Sequence, residues 1–143
     1  MNERMLYFDT LFQEILCQQA KKTAIVYLRD NGERTHLTYH FLNEAAERIG
    51  KALRQTGIQT GDRVAIAAPS SPFAILAGVA LACMHCTAVL IDATLPPAEI
   101  EKLLAEADIS AAFLDAGVAA SVSPEALRDM PVFAVDDTAA YPL

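Results

Sequence analysis

Three groups of side chains in this sequence are of types that do chemistry. The first is Ser70-Ser71, set between Pro69 and Pro72 after the apolar run Val64–Ala68. Two hydroxyls at the start of a helix could hold a phosphate. The second is acidic: Asp92, Asp115 and the pair Asp136-Asp137 each follow an apolar run. Carboxylates brought together in this way could hold Mg²⁺, which favours carboxylate oxygens and water. The third is Cys83-Met84-His85-Cys86, a C-x-x-C spacing that suits either redox chemistry or half of a zinc site.

Each group has a plainer reading. The six glycines make neither GxGxxG nor GxxxxGK[ST], so no loop lets a phosphate approach the backbone closely. Ser71 is therefore read first as a helix cap, with Pro72 in the first turn. Asp at the end of a strand commonly serves a turn or a cap. A receiver-like acidic pocket would also want acids after the first strand, where Pro69-Ser70 stands instead. The C-x-x-C closes a helix, where the dipole disfavours a thiolate. Zinc would need a second ligand pair, so Cys83 and Cys86 are expected to be structural and no metal site is assigned. The binding candidates that remain, Ser70, Ser71 and Asp92, are weak, and no catalytic residue is assigned.

The elements that would position these groups follow from periodicity. Phe8, Leu11, Phe12, Ile15 and Leu16 predict a helix over 8–20. Thr23–Asp30 and Glu33–Thr38 read as strands joined through Asn31-Gly32, a hairpin signal. Thr38 sits where an N-cap belongs, and the helix with Leu42, Ala46, Ile49 and Leu53 on one face ends at Gly57. Beyond it the pattern alternates: strand Val64–Ala68, helix Pro72–Cys83 apolar on all sides, strand Thr87–Ile91, a helix opened by Pro96-Pro97, strand Ala111–Leu114, a short helix from Ser123-Pro124-Glu125 with Ser123 as cap, and strand Val132–Val135. Continuous apolar strands alternating with helices predict an α/β fold: an open, mainly parallel sheet with helices on both faces, flavodoxin-like, preceded by an N-terminal helix and a β-hairpin.

Composition narrows the function classes. Eleven Lys and Arg against 18 Asp and Glu leave a net charge of −7 with no basic stripe, which excludes a nucleic-acid partner. Ser71–Ile91 carries no Asp, Glu, Lys or Arg and has the length of a bilayer span. Pro72 at its start, the interruption at His85-Cys86-Thr87 and the lack of flanking cations favour a buried helix followed by a strand, so no membrane span is expected. No secretory signal is read, and three cysteines do not suggest a disulfide framework, which together predict a cytoplasmic protein. Hydrophobic residues make up 53% of the chain, high for a free-standing domain of this size. Part of the surface is expected to meet a partner or a second copy.

In order and spacing, the motifs resemble the N-terminal portion of the adenylate-forming (AMP-binding) superfamily of acyl-CoA synthetases and peptide-synthetase adenylation domains. Leu37-Thr38-Tyr39 followed by Leu42-Asn43 resembles its L-T-Y-x-E-L motif. The run from the helix to Gly57 and on through Gly61-Asp62-Arg63-Val64-Ala65-Ile66 resembles its G-D-R-V-A-I region, and Pro69-Ser70-Ser71-Pro72 its P-N-S-P. Leu90-Ile91-Asp92 and Leu95-Pro96-Pro97-Ala98-Glu99-Ile100 resemble its P-L-D-P-x-x-P-x-x-R-L segment. Departures are Phe41 for an acid, His85 for a common glycine, Leu90 and Ala93 for prolines, and Glu99 for arginine.

The resemblance covers about residues 8–137, as helix, hairpin and helix over 8–57 and a βαβ region over 61–137. It implies that residues 1–143 form a single domain, the N-terminal subdomain of a larger ATP- and Mg-dependent ligase that activates a carboxylic acid as its acyl-adenylate. Transfer to coenzyme A or a carrier-protein thiol would follow. The superfamily's phosphate loop ending in P-K-G and its catalytic lysine have no counterpart in this sequence, so the chain is expected to be inactive alone, to bind no cofactor, and to have the remainder of the enzyme as its partner. Two rivals stand beside this reading: a free-standing flavodoxin-like nucleotide-binding module, with Ser70 and Ser71 on a phosphate, and a non-catalytic interaction protein.

Overall fold

The computed structural model describes residues 7–135. Helix α1 (Phe8–Gln19) leads into strands β1 (Thr23–Leu28) and β2 (Arg34–Thr38), followed by helix α2 (Tyr39–Gln55). The strands pair antiparallel, with Ile25 opposite Leu37. Their turn is not a bare Asn-Gly pair. The Arg29 carbonyl accepts from Gly32 N–H and Arg29 N–H donates to the Glu33 carbonyl, both at 2.9 Å, closing a three-residue loop. Gly32 takes the left-handed position at φ +84° and Asn31 does not, because its side-chain oxygen instead accepts from Glu33 N–H at 3.0 Å.

Both ends of α2 are built by local sequence. The Thr38 hydroxyl accepts from Phe41 N–H at 3.2 Å. At the other end Gly57, at φ +93°, lets its own N–H reach the Arg54 carbonyl and Ile58 N–H reach the Leu53 carbonyl. That paired return is the Schellman arrangement, and Ile58 and Leu53 are both buried in one core cluster.

Strand β3 (Arg63–Ala67), helix α3 (Pro72–Cys83), strand β4 (Thr87–Leu90), helix α4 (Pro97–Glu106), strand β5 (Ala111–Asp115), helix α5 (Ala116–Ser121), a 3-10 turn (Pro124–Leu127) and strand β6 (Val132–Val135) complete the described chain. The four strands β3 to β6 are parallel, in the order β4-β3-β5-β6. Alternation divides each central strand between two cores. Val64, Ile66 and Phe113 face Leu53 of α2 and Leu81 of α3, while Ala65, Ala67 and Leu114 belong to the cluster of Ile100 and Leu104 on α4. Helices thus cover both faces, which is why β3 and β5 read as unbroken apolar runs. A third cluster joins Phe12 of α1 to Leu37, Leu42 and Leu76.

Three expectations need correction. Helix α3 is not buried all round: Ile75 is 48% exposed, on the side of β4, which is an edge strand among the described residues. Ser123 does not cap with its side chain; the element after it is one 3-10 turn, and Ser123 N–H donates to the Glu101 carboxylate at 2.6 Å. Helix α5 has no counterpart in the sequence reading. Ala116-Gly117-Val118-Ala119-Ala120-Ser121 has no 3.6-residue apolar rhythm, and the helix exists because Asp115 Oδ1 accepts from Val118 N–H at 2.8 Å and Val118 packs beneath α4.

Candidate functional site

In an open parallel sheet the ligand crevice lies beyond the carboxyl ends of the strands, where successive crossovers run in opposite directions. Here that point falls between β3 and β5, flanked by the loop Ala68–Ser71, the β4–α4 connection and Asp115. A groove of about 390 Å³ opens beside it, lined among others by Pro69, Ser70, Ser71, Ile75, Leu90 and Ile91.

Each sequence candidate can be placed. The Ser71 side chain is buried, and its hydroxyl accepts from Ala74 N–H at 3.2 Å, so Ser71 caps α3 with Pro72 in the first turn. Ser70 is exposed on the groove wall. Asp92 Oδ1 accepts from both Thr94 N–H at 2.8 Å and Thr94 Oγ1–H at 2.7 Å. Those bonds, the hydroxyl's first, hold the Asp92 carboxyl below its ordinary value. Asp115 caps α5. The fold therefore brings Ser70 and Ser71 to one groove, while Asp92 and Asp115 each serve their own loop. Asp136-Asp137 lies outside the described residues. Among the described residues no group of three or more His, Cys, Asp or Glu is placed to hold a metal ion.

The groove does not fit a nucleoside triphosphate. None of its lining residues is Lys or Arg, and its walls are mainly apolar. The phosphates would meet two hydroxyls, one already spent on the cap, and no cation to offset their charge. A wider cleft of about 650 Å³ between α1 and α3 holds Asp9, Glu14, Cys17 and Cys83, and its acids make it equally unsuited to a polyanion.

All three cysteines are free. Burial pushes the Cys83 thiol up, with the Asp9 charge adding to it. Burial also pushes Cys86 up, with Asp62 adding, and its thiol donates to the Gln59 carbonyl at 3.3 Å. Thiols held protonated in this way are poor nucleophiles.

Between them, His85 has φ +56°, the left-handed region that the glycine of the resembled motif enters freely. Its ring stands edge-on to Tyr7 at 5.5 Å, and Nε2 lies 3.1 Å from Asp9 Oδ2. This contact ties α1 to the turn before β4 across 76 positions of sequence. Sequence reasoning missed it. The one legible signal was a histidine at a position where glycine is at ease.

The profile of the AMP-binding enzyme family covers residues 12–141. The chain belongs to the AMP-binding enzyme family. It is 30% identical over 129 residues to the fatty acid–acyl-carrier-protein ligase MmaC of Mycobacterium marinum, covering 89% of this chain and 24% of that one. In structure it is similar to a benzoate CoA ligase of Burkholderia xenovorans LB400, with TM-score 0.74 and 22% identity over 91% of this chain and 25% of the ligase. The N-terminal subdomain of Klebsiella oxytoca NpsA superposes with TM-score 0.75 and 22% identity, covering 91% of this chain and 32% of that one. At that level of identity the likeness is one of fold. The chain of this AMP-binding family member spans about a quarter of the length of the curated relative it matches, 24%. Among the described residues, no helix is long and apolar enough to cross a membrane.

Proposed function

We propose that this chain is the N-terminal portion of an ATP-dependent ligase that activates a carboxylic acid. In such an enzyme the carboxylate attacks the α-phosphate of ATP and pyrophosphate leaves; a thiol then attacks the acyl carbon of the adenylate, losing its proton as AMP departs. Coenzyme A and a carrier-protein thiol are both open as acceptors, since the relatives' names include each kind. The carrying observation is the family match over residues 12–141, nearly the whole chain.

Within that enzyme these residues act as one scaffold unit. Ser71 starts α3, Asp92 shapes the β4–α4 turn and Asp115 starts α5, so the side chains nearest the crevice hold loops in place. ATP and Mg²⁺ belong to the larger enzyme, because the groove here supplies no cation for the phosphates. The chain alone therefore neither binds ATP tightly nor forms an acyl-adenylate. Three free thiols fit a reducing, cytoplasmic setting.

The test is calorimetry of the 143-residue chain with Mg-ATP, together with pyrophosphate exchange over a panel of carboxylic acids. No heat and no exchange are expected. Micromolar ATP binding, or acid-dependent exchange, would mean that the phosphate site lies within this chain and would overturn the scaffold reading.

A further inference from the structure

We propose that Asn31 is a self-modification site gated by the hairpin: the closed turn between β1 and β2 withholds its amide from the Gly32 nitrogen, and opening of the turn releases it. Asn2, Asn31 and Asn43 are the asparagines of the chain, and only Asn31 is followed by glycine. Glycine puts no side chain in the way of its own nitrogen. Both residues are exposed, so water and hydroxide reach the turn. The reaction needs nothing else. Gly32 N loses its proton and attacks Cγ of Asn31. An N–C bond forms, the bond from Cγ to Nδ2 breaks, and ammonia leaves carrying a proton, which closes a cyclic imide. Water then opens the ring at either carbonyl, giving an aspartyl or a β-linked aspartyl residue at position 31.

The closed turn holds both reacting groups in other bonds. The proton that must leave Gly32 N is donated to the Arg29 carbonyl at 2.9 Å, which stabilises it in place and shields it from base. Asn31 Oδ1 accepts from Glu33 N–H at 3.0 Å, which fixes the side chain that would have to swing onto Gly32 N. The bond from Arg29 N–H to the Glu33 carbonyl closes the loop behind them. All three are lost together when the strands part. The hairpin is suited to opening by itself: β1 and β2 form a sheet of their own, and Val26 and Leu28 are exposed on it. The two products then differ. An aspartyl residue keeps an oxygen for Glu33 N–H, so the turn closes again. A β-linked residue lengthens the loop by one carbon and moves the acceptor, so the bonds to Arg29 and Glu33 do not re-form.

Incubation of the whole chain in mildly alkaline buffer, with and without denaturing urea, tests this, with the Asn31 peptide read by mass spectrometry. Loss of the Asn31 amide in buffer is expected to be at least about tenfold slower than in urea, since local opening must precede it. Val26→Gly weakens β1 at an exposed position outside the core clusters. It is expected to speed the reaction severalfold in buffer with an unchanged circular dichroism spectrum. Should Val26→Gly fail to fold, Leu28→Gly is read in the same way. Hydrogen exchange in β1 and β2 is expected to quicken in the β-linked product and to match the parent chain in the aspartyl one. Equal rates with and without urea would overturn the gate, as would a folded Val26→Gly chain that reacts at the wild-type rate. An Asn31 amide that survives in urea would overturn the site itself, and parental protection in the β-linked product would overturn the assigned difference between products.

Discussion

The hairpin with its two flanking helices and the parallel sheet are held together in different ways. In the first region the ends of elements do much of the work: Thr38 caps α2, Gly57 closes it, and Asn31 and Gly32 set the turn. Burial there is partial. α1 buries Phe12 fully but leaves Phe8 and Leu11 at 46% and 44% exposure. In the sheet, β3 and β5 each present four consecutive apolar residues, all buried: Val64 to Ala67, and Ala111 to Leu114. A strand packed on both faces needs no cap to be stable, whereas a helix docked along one seam depends on whatever fastens its ends.

Phe113→Ala should separate the regions most sharply. The ring is 2% exposed, stacked on Phe133 at 5.1 Å and tilted against Phe73 at 6.0 Å. Truncating a buried Phe costs about 3–5 kcal/mol, a large share of the stability of a domain this size. Urea denaturation should show global loss, with the midpoint of every probe moving together. If signals from the hairpin kept their wild-type midpoint, the two regions would be independent folding units.

The two caps give a smaller and more pointed comparison. Thr38→Ala and Ser71→Ala each remove one hydroxyl acceptor at a helix start, worth about 1 kcal/mol. Similar losses of stability, measured by denaturation, would mean that Ser71 serves only α3. A Ser71→Ala variant as stable as wild type would leave the cap reading without support.

The smallest effect expected is at the tie between the regions. His85→Gly should relieve left-handed strain of about 1 kcal/mol and raise the melting temperature slightly. Hydrogen exchange in α1 should nevertheless quicken, since the contact with Asp9 is lost. The Asp9 carboxyl is held below its ordinary value, first by Thr10 N–H and then by the His85 side chain. A depressed carboxylate contributes stability above its unfolded pKa, and that contribution is lost as pH falls through the folded value. The difference in melting temperature between wild type and Asp9→Asn should therefore be present at neutral pH and vanish in acid. A difference that grew on acidification would contradict the assigned direction.

Much of this molecule is legible in its sequence. The bounds of α3 and β6, the cap at Thr38, the close at Gly57 and the alternation of strand and helix all follow from residues a few positions apart. Such features are local, so composition and spacing determine them. Three features were decided only by tertiary structure. Asp115 became a helix cap because Val118 found a place under α4, though its own segment has no helical rhythm. His85 met Asp9 across 76 positions, a distance no periodicity reports. Ile75 and Leu90 stayed exposed, although their sequence is as apolar as any in the core, because strand order placed β4 at the edge. Apolar character states what a side chain would bury against. Whether a neighbour is there to bury it depends on the order in which the strands assemble, and that order comes from contacts between residues far apart in the chain.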